Sequence, residues 1–172
     1  MAQNENLLPL NIALMTISDT RTETDDKSGK ILTNHLEAAG HHLSEKTIIP
    51  DDIYQIRAVI SRWIADKSIQ VILTTGGTGV TGRDVTPEAI KPLLDKEIAG
   101  FGEIFRMISY KEIKTSTIQS RAIAGLANGT YIFCLPGSSG ACETGWSIIK
   151  DQLDSRHKPC NLAQLIPRLD EV

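Results

Sequence analysis

Apolar runs alternate with amphipathic stretches along most of the chain. Three runs, at 12–17, 71–73 and 131–135, are apolar on both faces, which is typical of strands inside a parallel sheet. A fourth strand is predicted at 42–49. Apolar residues with helical spacing predict helices between or after these strands, at 31–39, 53–64, 87–94, 104–108 and 141–149. Strands that alternate with helices predict an α/β domain with a mostly parallel sheet.

Polar residues mark where several of these helices begin. Ser28 or an aspartate before it is expected to cap the first helix, and Asp51 or Asp52 the second. Thr86 is predicted to be the N-cap of the third helix, with Pro87 at its first position.

A glycine-rich stretch directly follows the strand at 71–73. The sequence Gly76-Gly77-Thr78-Gly79 lets the backbone turn with positive φ and brings a ligand close to main-chain amides. Successive amides of this kind form a concave site for an anion, and the N-terminus of the following helix adds partial positive charge. Four threonine hydroxyls are further candidate donors: Thr74, Thr75, Thr78 and Thr81. The alternative is that these glycines serve only the geometry of a tight turn.

Arg83 and Asp84 follow this loop as candidate ligands for a phosphate and a hydrated divalent cation. Gly77-x-Gly79-x-x-Gly82 matches a dinucleotide fingerprint by letter, but the next helix starts only after Thr86 and this is not the first strand–helix unit. Gly77-x-x-x-x-Gly82 matches the start of a P-loop, but Arg83 and Asp84 replace its lysine and hydroxyl residue. We therefore predict a phosphate cradle of another kind.

Three other segments are candidate parts of the same site. Pro136-Gly137-Ser138 follows the strand at 131–135 and provides a second strand–loop–helix cradle. Ser18-Asp19-Thr20-Arg21 follows the first strand, with a solvated loop as the alternative. Ser120-Arg121, at a helix start or turn, is a candidate second anion site, with a capped surface turn as the alternative. The two glycine-rich loops both follow strands, so they are expected at the same carboxyl edge of the sheet.

Composition narrows the class of protein. The 172 residues carry a formal net charge of −3 with only 5% aromatics, which disfavours a nucleic-acid partner. No apolar run approaches the roughly 20 residues of a membrane helix, and the first residues lack a signal-peptide pattern. Three cysteines without a C-x-x-C pair fit reduced thiols. We expect a cytoplasmic protein without a membrane partner, with a flexible arm at 1–10, a domain at 11–155, and a tail at 156–172 that packs on the domain or a neighbouring subunit.

The ionisable residues suit phosphoryl or nucleotidyl transfer. No histidine lies beside Ser120 or Ser138 in the sequence, and no carboxylate pair of the hydrolase type is evident. Two anion cradles together with Asp51 and Asp84 suit reactions in which positioning and charge neutralisation do most of the work. Mg²⁺ needs only one or two carboxylates beside substrate phosphates. For Asp51, a helix-capping role is the alternative.

The stretches Thr75-Gly-Gly-Thr-Gly79 and Arg83-Asp-Val-Thr-Pro-Glu-Ala89 resemble the molybdopterin-binding family, which includes the MoaB and MogA proteins of molybdenum cofactor biosynthesis. Gly100-Phe-Gly-Glu103, Ser120-Arg121 and Leu135-Pro-Gly137 also stand at family positions, so the resemblance covers roughly residues 12–153. Within the family, the chain is most similar to MoaB.

This resemblance implies a three-layer α/β/α sandwich that assembles as a trimer or a hexamer. It also implies an activity, in which the terminal phosphate of molybdopterin attacks the α-phosphate of MgATP to give adenylylated molybdopterin and pyrophosphate. By motif match, the glycine loop and Asp84 handle phosphate and Mg²⁺, and Asp51 corresponds to the family's other functional aspartate. Ser120 and residues 136–138 correspond to ligand contacts.

We therefore expect Asp51 and Asp84 to be the catalytic and Mg²⁺-binding residues, with ATP and molybdopterin as substrates. The expected substrate-binding residues are Thr75, Gly76, Gly77, Thr78, Gly79, Arg83, Ser120, Pro136, Gly137 and Ser138. Two other functions stay open. A non-catalytic molybdopterin-binding or carrier protein of the same pathway would bind the pterin without dependence on ATP. A dinucleotide-binding oxidoreductase would bind NAD(H).

Overall fold

A six-stranded sheet forms the centre of the protein in a computed structural model that describes residues 6–171. Its strands are β1 (Asn11–Ile17), β2 (His42–Ile49), β3 (Val71–Thr75), β4 (Lys96–Glu97), β5 (Ile123–Ala127) and β6 (Thr130–Leu135). They lie in the order β2-β1-β3-β6-β5-β4. The first four strands in this order run parallel, whereas β5 is antiparallel to both β6 and β4. The prediction of a mostly parallel sheet is confirmed.

Helices cover both faces of the sheet, which confirms the three-layer α/β/α sandwich. They are α1 (Lys27–Ala38), α2 (Ile53–Ala65), α3 (Thr86–Ile90), α4 (Ala99–Ile113) and α5 (Ser139–Leu153). Short 3-10 helices span Lys91–Leu93, Lys114–Gln119 and Ala163–Arg168. Buried residues of α1, α4 and α5 join the core on one face, and those of α2 and α3 join the core on the other.

The first strand shows why its sequence is apolar on both faces. Ile12 and Leu14 pack into the core beneath α1 and α5, while Ala13 and Met15 pack into the core beneath α2. Successive side chains of a strand point to opposite faces, so a strand covered on both sides carries apolar residues on both faces. Full burial of each large side chain stabilises the fold by about 1.5–3 kcal/mol.

Aspartates cap the first two helices. Asp26 accepts a hydrogen bond from the Gly29 amide at 2.9 Å, and Gly40, with φ +87°, follows the end of α1 as expected. For α2 the cap is Asp52, whose carboxylate accepts the amides of Tyr54 and Gln55 at 3.0 and 2.9 Å. The neighbouring Asp51 carboxylate is therefore available for another role.

The prediction for Thr86 was wrong. The helix α3 begins at Thr86 itself, and its N-cap position is Val85, with no side-chain cap. The Thr86 hydroxyl instead donates to the Gly76 carbonyl at 2.8 Å and so ties the glycine loop to α3. Because α3 has only five residues, the helix dipole expected at its N-terminus contributes little.

The segment after α4 also differs from the prediction. Ser120 has extended backbone with φ −81° and ψ 118°, and the chain leads into the antiparallel strand β5 rather than starting a helix. A two-residue turn, Asn128-Gly129, joins β5 to β6, and both turn residues have positive φ. An Asn-Gly pair is a strong hairpin signal, and its positive φ values match the twist of the strands.

The two ends of the described chain contact the domain. Residues 1–5 of the predicted arm lie outside the described residues, while Leu10 is buried and the Leu8 amide donates to Ser155 Oγ at 2.9 Å. Near the C-terminus, Ala163 joins the core, and Tyr131 donates its hydroxyl to the Leu162 carbonyl at 3.1 Å. Within residues 6–171, none of the helices has the length and apolar character to cross a membrane.

Candidate functional site

A cleft of about 290 Å³ opens at the carboxyl ends of β1, β3 and β6. Parallel strands end together at this edge, which is where open α/β sheets hold ligands. The cleft brings together seven of the predicted site residues: Asp51, Thr75, Gly76, Gly77, Arg83, Asp84 and Gly137. Four further residues line it, namely Thr16, Ile17, Ser18 and Arg21.

The two predicted glycine loops touch each other at the floor of this cleft. Gly76 has φ +110° and its amide donates to the Leu135 carbonyl at 2.9 Å. A Cβ on Gly76 would lie 2.1 Å from the Ile17 carbonyl oxygen, and a Cβ on Gly137 would lie 3.2 Å from the Gly76 Cα. Only glycine allows such close approach of three backbone segments.

One glycine amide of the loop is used within the protein. The Gly76 amide donates to the Leu135 carbonyl at 2.9 Å, whereas the amides of Gly77 and Thr78 have no acceptor among residues 6–171. The Gly79 amide lies close enough to the Asp84 carboxylate to lower its pKa. The prediction of anion-binding amides was therefore wrong for Gly76, and Gly77 is the glycine of the loop that lines the cleft with a free amide.

The two predicted catalytic carboxylates flank this part of the loop. A Cβ on Gly77 would lie 2.9 Å from Asp51 Oδ1, and a Cβ on Gly79 would lie 2.7 Å from Asp84 Oδ2. Two residues that are two positions apart have Cα atoms no more than about 7.6 Å apart. The Asp51 and Asp84 carboxylates therefore lie close to the same three-residue stretch.

The two aspartates differ in their electrostatic environment. Burial raises the pKa of Asp51 above its ordinary value, and the negative charges of Asp19 and Asp84 raise it further, against the opposing effect of Arg83. Burial also acts to raise the pKa of Asp84, but hydrogen bonds from Thr81 and Gly79 outweigh it, and the pKa of Asp84 is lowered. A bound cation would relieve the repulsion between the carboxylates.

Two arginines place positive charge at the cleft. Arg83 pairs with Asp19 through Nε to Oδ2 at 2.9 Å and Nη2 to Oδ1 at 2.7 Å. Arg21 donates from Nη2 to the Gly137 carbonyl at 2.8 Å and thereby joins the loop after β1 to the loop after β6. Arg21 belongs to the segment 18–21, which the sequence marked as a candidate part of the site because it follows a buried strand. It was not singled out there as a substrate-binding residue.

Most of the threonine hydroxyls expected to reach a ligand are turned inward. Thr75 Oγ1 donates to the Pro136 carbonyl at 3.1 Å, and Thr81 Oγ1 donates to Asp84 Oδ2 at 2.6 Å. Thr74 and Thr78 are buried, with 0% and 2% exposure. The Thr81 hydroxyl thereby orients Asp84, and the contacts of Thr75 and Thr81 do not support their prediction as ligand donors.

Three of the five remaining predicted residues lie around a second cavity. Ser120, Pro136 and Ser138 line a pocket of about 240 Å³ between α4 and α5. Ser138 Oγ also accepts the Ala141 amide at 3.2 Å as the cap of α5. The buried Ser120 hydroxyl has no hydrogen-bond partner among the described residues. The other two, Thr78 and Gly79, line neither cavity.

The arginine of the candidate second anion site at Ser120-Arg121 is held by protein groups. The Arg121 guanidinium contacts the carbonyls of Gly79 and Asp84 and the carboxylate of Glu88. Ser120 and Arg121 both line a cavity of about 630 Å³, and an anion site there stays a prediction.

The donor set at the cleft fits Mg²⁺ rather than a metal with many protein ligands. Within residues 6–171, no group of three or more His, Cys, Asp or Glu side chains is arranged to hold a metal ion. Mg²⁺ keeps several waters and takes one or two carboxylates with substrate phosphates. Asp51 and Asp84, beside a loop with a free amide, meet that requirement.

Known sequences similar to this chain all point to one family. Residues 13–155 match the family model described as "Probable molybdopterin binding domain". The molybdenum cofactor biosynthesis protein B of Escherichia coli (strain K12) is 54% identical over 155 residues, which cover 90% of this chain and 91% of that protein. The protein of the same name from Bacillus subtilis (strain 168) is 48% identical over 131 residues, which cover 76% and 77%.

Solved structures give the same result. A crystal structure of molybdenum cofactor biosynthesis protein B superposes with a TM-score of 0.85 at 40% identity and covers 100% of both chains. The tungsten cofactor synthesizing protein MoaB from Pyrococcus furiosus gives 0.75 at 41% identity and covers 84% of this chain and 92% of that one. A MogA structure gives 0.76 at 27% identity, covering 83% and 94%. The chain therefore belongs to the molybdopterin-binding domain family.

Proposed function

We propose that this protein acts in molybdenum cofactor biosynthesis by transferring AMP from MgATP to the terminal phosphate of molybdopterin. The family membership supports a pterin ligand, and the cleft supports phosphate chemistry. One observation carries the proposal: two carboxylates flank the Gly77–Gly79 stretch in an open cleft that also contains Arg21 and Arg83.

The proposed reaction requires no covalent bond between the protein and either substrate. An oxygen of the pterin phosphate forms a bond to the α-phosphorus of ATP. The bond from that phosphorus to the bridging oxygen of the β-phosphate breaks, and pyrophosphate leaves with the electron pair. The attacking phosphate is already ionised at neutral pH, because its second pKa is about 6. No general base is required, which fits a cleft without a histidine.

The side chains of the cleft bind and orient the two phosphate groups. The donors at the cleft are the Gly77 amide and the guanidinium groups of Arg21 and Arg83, and they would bind the anionic oxygens. Arg21 also donates to Ser28 and Gly137, and Arg83 donates to Asp19, so their remaining N–H groups would serve the ligand. Asp51 and Asp84 would hold Mg²⁺, which when bound neutralises phosphate charge. Preorganised groups of this kind account for much of the rate in phosphoryl transfer.

The decisive variant is Asp84→Asn. We expect it to reduce the formation of adenylylated molybdopterin at least about 100-fold, because the neutral amide weakens Mg²⁺ binding. Pterin affinity should stay within about threefold of the wild-type value, because the contacts that bind the pterin before the reaction do not include the metal. Asp151→Asn, at an exposed position on α5, is the matched control. A wild-type protein that binds the pterin but makes no product with MgATP would refute the enzyme proposal.

A second candidate is a non-catalytic molybdopterin-binding protein of the same pathway. It is favoured by the internal use of the Gly76 amide and by the Arg83–Asp19 pair, which leave fewer donors for a nucleoside triphosphate. Calorimetry with the pterin alone and with MgATP separates the two candidates. A carrier binds the pterin equally in both, whereas the enzyme forms product only when the nucleotide is present.

We also propose that the protein assembles as a trimer or hexamer of identical chains. Large apolar side chains stand at every third position of α4 and again in the following 3-10 helix, and all of them are more than 40% exposed: Ile104, Met107, Tyr110, Ile113 and Ile118. Several large exposed apolar side chains on one helix and the segment after it are typical of a protein–protein interface. Sedimentation equilibrium measures the mass directly, and a monomer at micromolar concentration would contradict the proposal.

A further inference from the structure

One guanidinium group holds both ends of the turn that carries Asp84. Arg121 donates from Nε to the Gly79 carbonyl at 2.7 Å and from Nη2 to the Asp84 carbonyl at 2.8 Å. The Arg121 amide also donates to the Thr78 carbonyl at 3.1 Å. The start of the loop and its end are thereby fixed to the same side chain.

The turn between these two anchors closes on the Asp84 carboxylate. Asp84 Oδ2 accepts the Thr81 amide at 2.9 Å and the Thr81 hydroxyl at 2.6 Å, and the Asp84 amide donates to the Thr81 carbonyl at 3.1 Å. Any shift of the Asp84 backbone therefore moves its carboxylate. The carboxylate lies beside Gly79, and Asp84 lines the cleft.

The Arg121 side chain is itself held in place from α3. Its Nη1 contacts the Glu88 carboxylate, and the Arg121 side chain is 32% exposed. Arg121 does not line the cleft; it lines a separate cavity of about 630 Å³. It therefore acts on the cleft only through the turn.

We propose that Arg121 is a positioning residue, which sets the location of the Asp84 carboxylate by clamping the carbonyls of Gly79 and Asp84. As far as catalysis is concerned, this inference rests on the proposed function. The clamp depends on the planar fork of arginine, which directs several N–H groups at fixed angles. A lysine at this position carries the same charge but cannot hold both carbonyls in that geometry.

Arg121→Lys tests this proposal, with Arg106→Lys as the matched control. Arg106 lines the same 630 Å³ cavity and donates to the carbonyl of Ala122 at 3.3 Å, but it does not contact the turn. Three measurements apply to both variants: the kinetics of product formation, the affinity for Mn²⁺ alone as a spectroscopic substitute for Mg²⁺, and amide hydrogen exchange of residues 79–84.

We expect Arg121→Lys to lower kcat by about 10- to 100-fold, because misplacement of a catalytic group by about 1 Å has an effect of that size. KM for the pterin should change by less than about threefold. Mn²⁺ affinity should fall about tenfold, as for other residues that orient a metal ligand. Exchange at residues 79–84 should be about tenfold faster. Arg106→Lys should match the wild type in all of these.

Glu88→Gln provides a milder form of the same change. It keeps the arginine but removes its carboxylate anchor, so it should shift Mn²⁺ affinity and amide exchange in the same direction by about threefold. This variant keeps the proposal testable if Arg121→Lys fails to fold.

The outcomes separate this inference from the proposed function. A wild-type protein without adenylylation activity would refute the proposed function, while Mn²⁺ affinity and amide exchange would still test the clamp. Arg121→Lys values that equal those of Arg106→Lys in both measurements would overturn the clamp. Faster exchange with unchanged kcat in an active protein would also overturn it, because the turn would then have loosened without any effect on the function of Asp84.

Discussion

Gly77 is the position where a single added methyl group tests the structure of the cradle. Gly77 has φ +64°, in the left-handed region that favours glycine. A Cβ built there lies 2.4 Å from Thr86 Oγ1, 2.9 Å from Asp51 Oδ1 and 3.3 Å from Ile17 Cγ2. Gly77→Ala therefore strains the backbone and pushes on two side chains that shape the cleft.

The size of the effect follows from these contacts. An L-residue in the left-handed region costs about 1–2 kcal/mol. The Thr86 hydroxyl must move away from the methyl group, which breaks its hydrogen bond to the Gly76 carbonyl at 2.8 Å. A buried hydrogen bond contributes about 0.5–1.5 kcal/mol, and an unsatisfied buried carbonyl costs more. Together these effects should lower the free energy of unfolding by about 2–4 kcal/mol.

Urea denaturation followed by tryptophan fluorescence measures this change, with Gly82→Ala as the control in the same loop. A Cβ on Gly82 meets nothing within 4 Å, and its φ is not in the left-handed region, so we expect Gly82→Ala to stay within about 0.5 kcal/mol of the wild type. Gly77→Ala should also weaken pterin binding, because the displaced Asp51 side chain enters the cleft. If the two alanine variants had equal stability, the reasoning about the Gly77 backbone would be refuted.

Two buried ionisable groups predict how stability depends on pH. His41 Nδ1 accepts the Leu10 amide at 3.2 Å, so the folded ring is neutral, and burial lowers its pKa below 6.5. His41 takes up its proton more readily in the unfolded chain, so the free energy of unfolding should fall as the pH drops from about 7 to 5. His41→Gln should remove this dependence of the free energy of unfolding on pH, whereas the control His42→Gln should keep it. Equal pH dependence of the two variants in urea titrations would contradict the explanation. Asp26 is fully buried, with Lys46 Nζ at 3.2 Å from its carboxylate. Burial acts to raise the pKa of Asp26, but hydrogen bonds and Lys46 lower it overall, so its contribution is present above about pH 4 and lost as the pH falls through the lowered pKa. Asp26→Asn should cost about 2 kcal/mol at neutral pH and flatten the acid limb of the titration; a variant as stable as the wild type would show that the ion pair contributes nothing.

The sequence predicts the fold well where one physical effect dominates. The runs at 12–17, 71–73 and 131–135 are apolar on both faces, with Thr16 as their one polar residue, because both faces of the sheet are covered, and each lies in a strand. The strand β5 was missed because Ile123-Ala-Gly-Leu-Ala127 is short and contains small residues with low strand propensity. The turn Asn128-Gly129 was the signal that would have identified it.

The site was less predictable, because its residues meet through long-range contacts. The sequence does not distinguish Asp51 from Asp52 as the N-cap of α2, and the structure shows that the N-cap is Asp52. The ion pair between Arg83 and Asp19 joins residues 64 positions apart, so no local sequence pattern predicts it. The direction of the Thr81 hydroxyl, toward Asp84 rather than toward a ligand, depends on the same tertiary arrangement.

The mixed order of the sheet has a consequence for how the protein folds. The hairpin of β5 and β6 pairs neighbouring residues, so it can form within microseconds, whereas β1 and β3 must close long chain segments before they pair. The cleft takes its walls from the ends of β1, β3 and β6, and it is complete only after these slower pairings. Partly folded chains therefore lack a complete cleft. The amount of pterin or nucleotide bound during refolding should then measure how many molecules have finished folding.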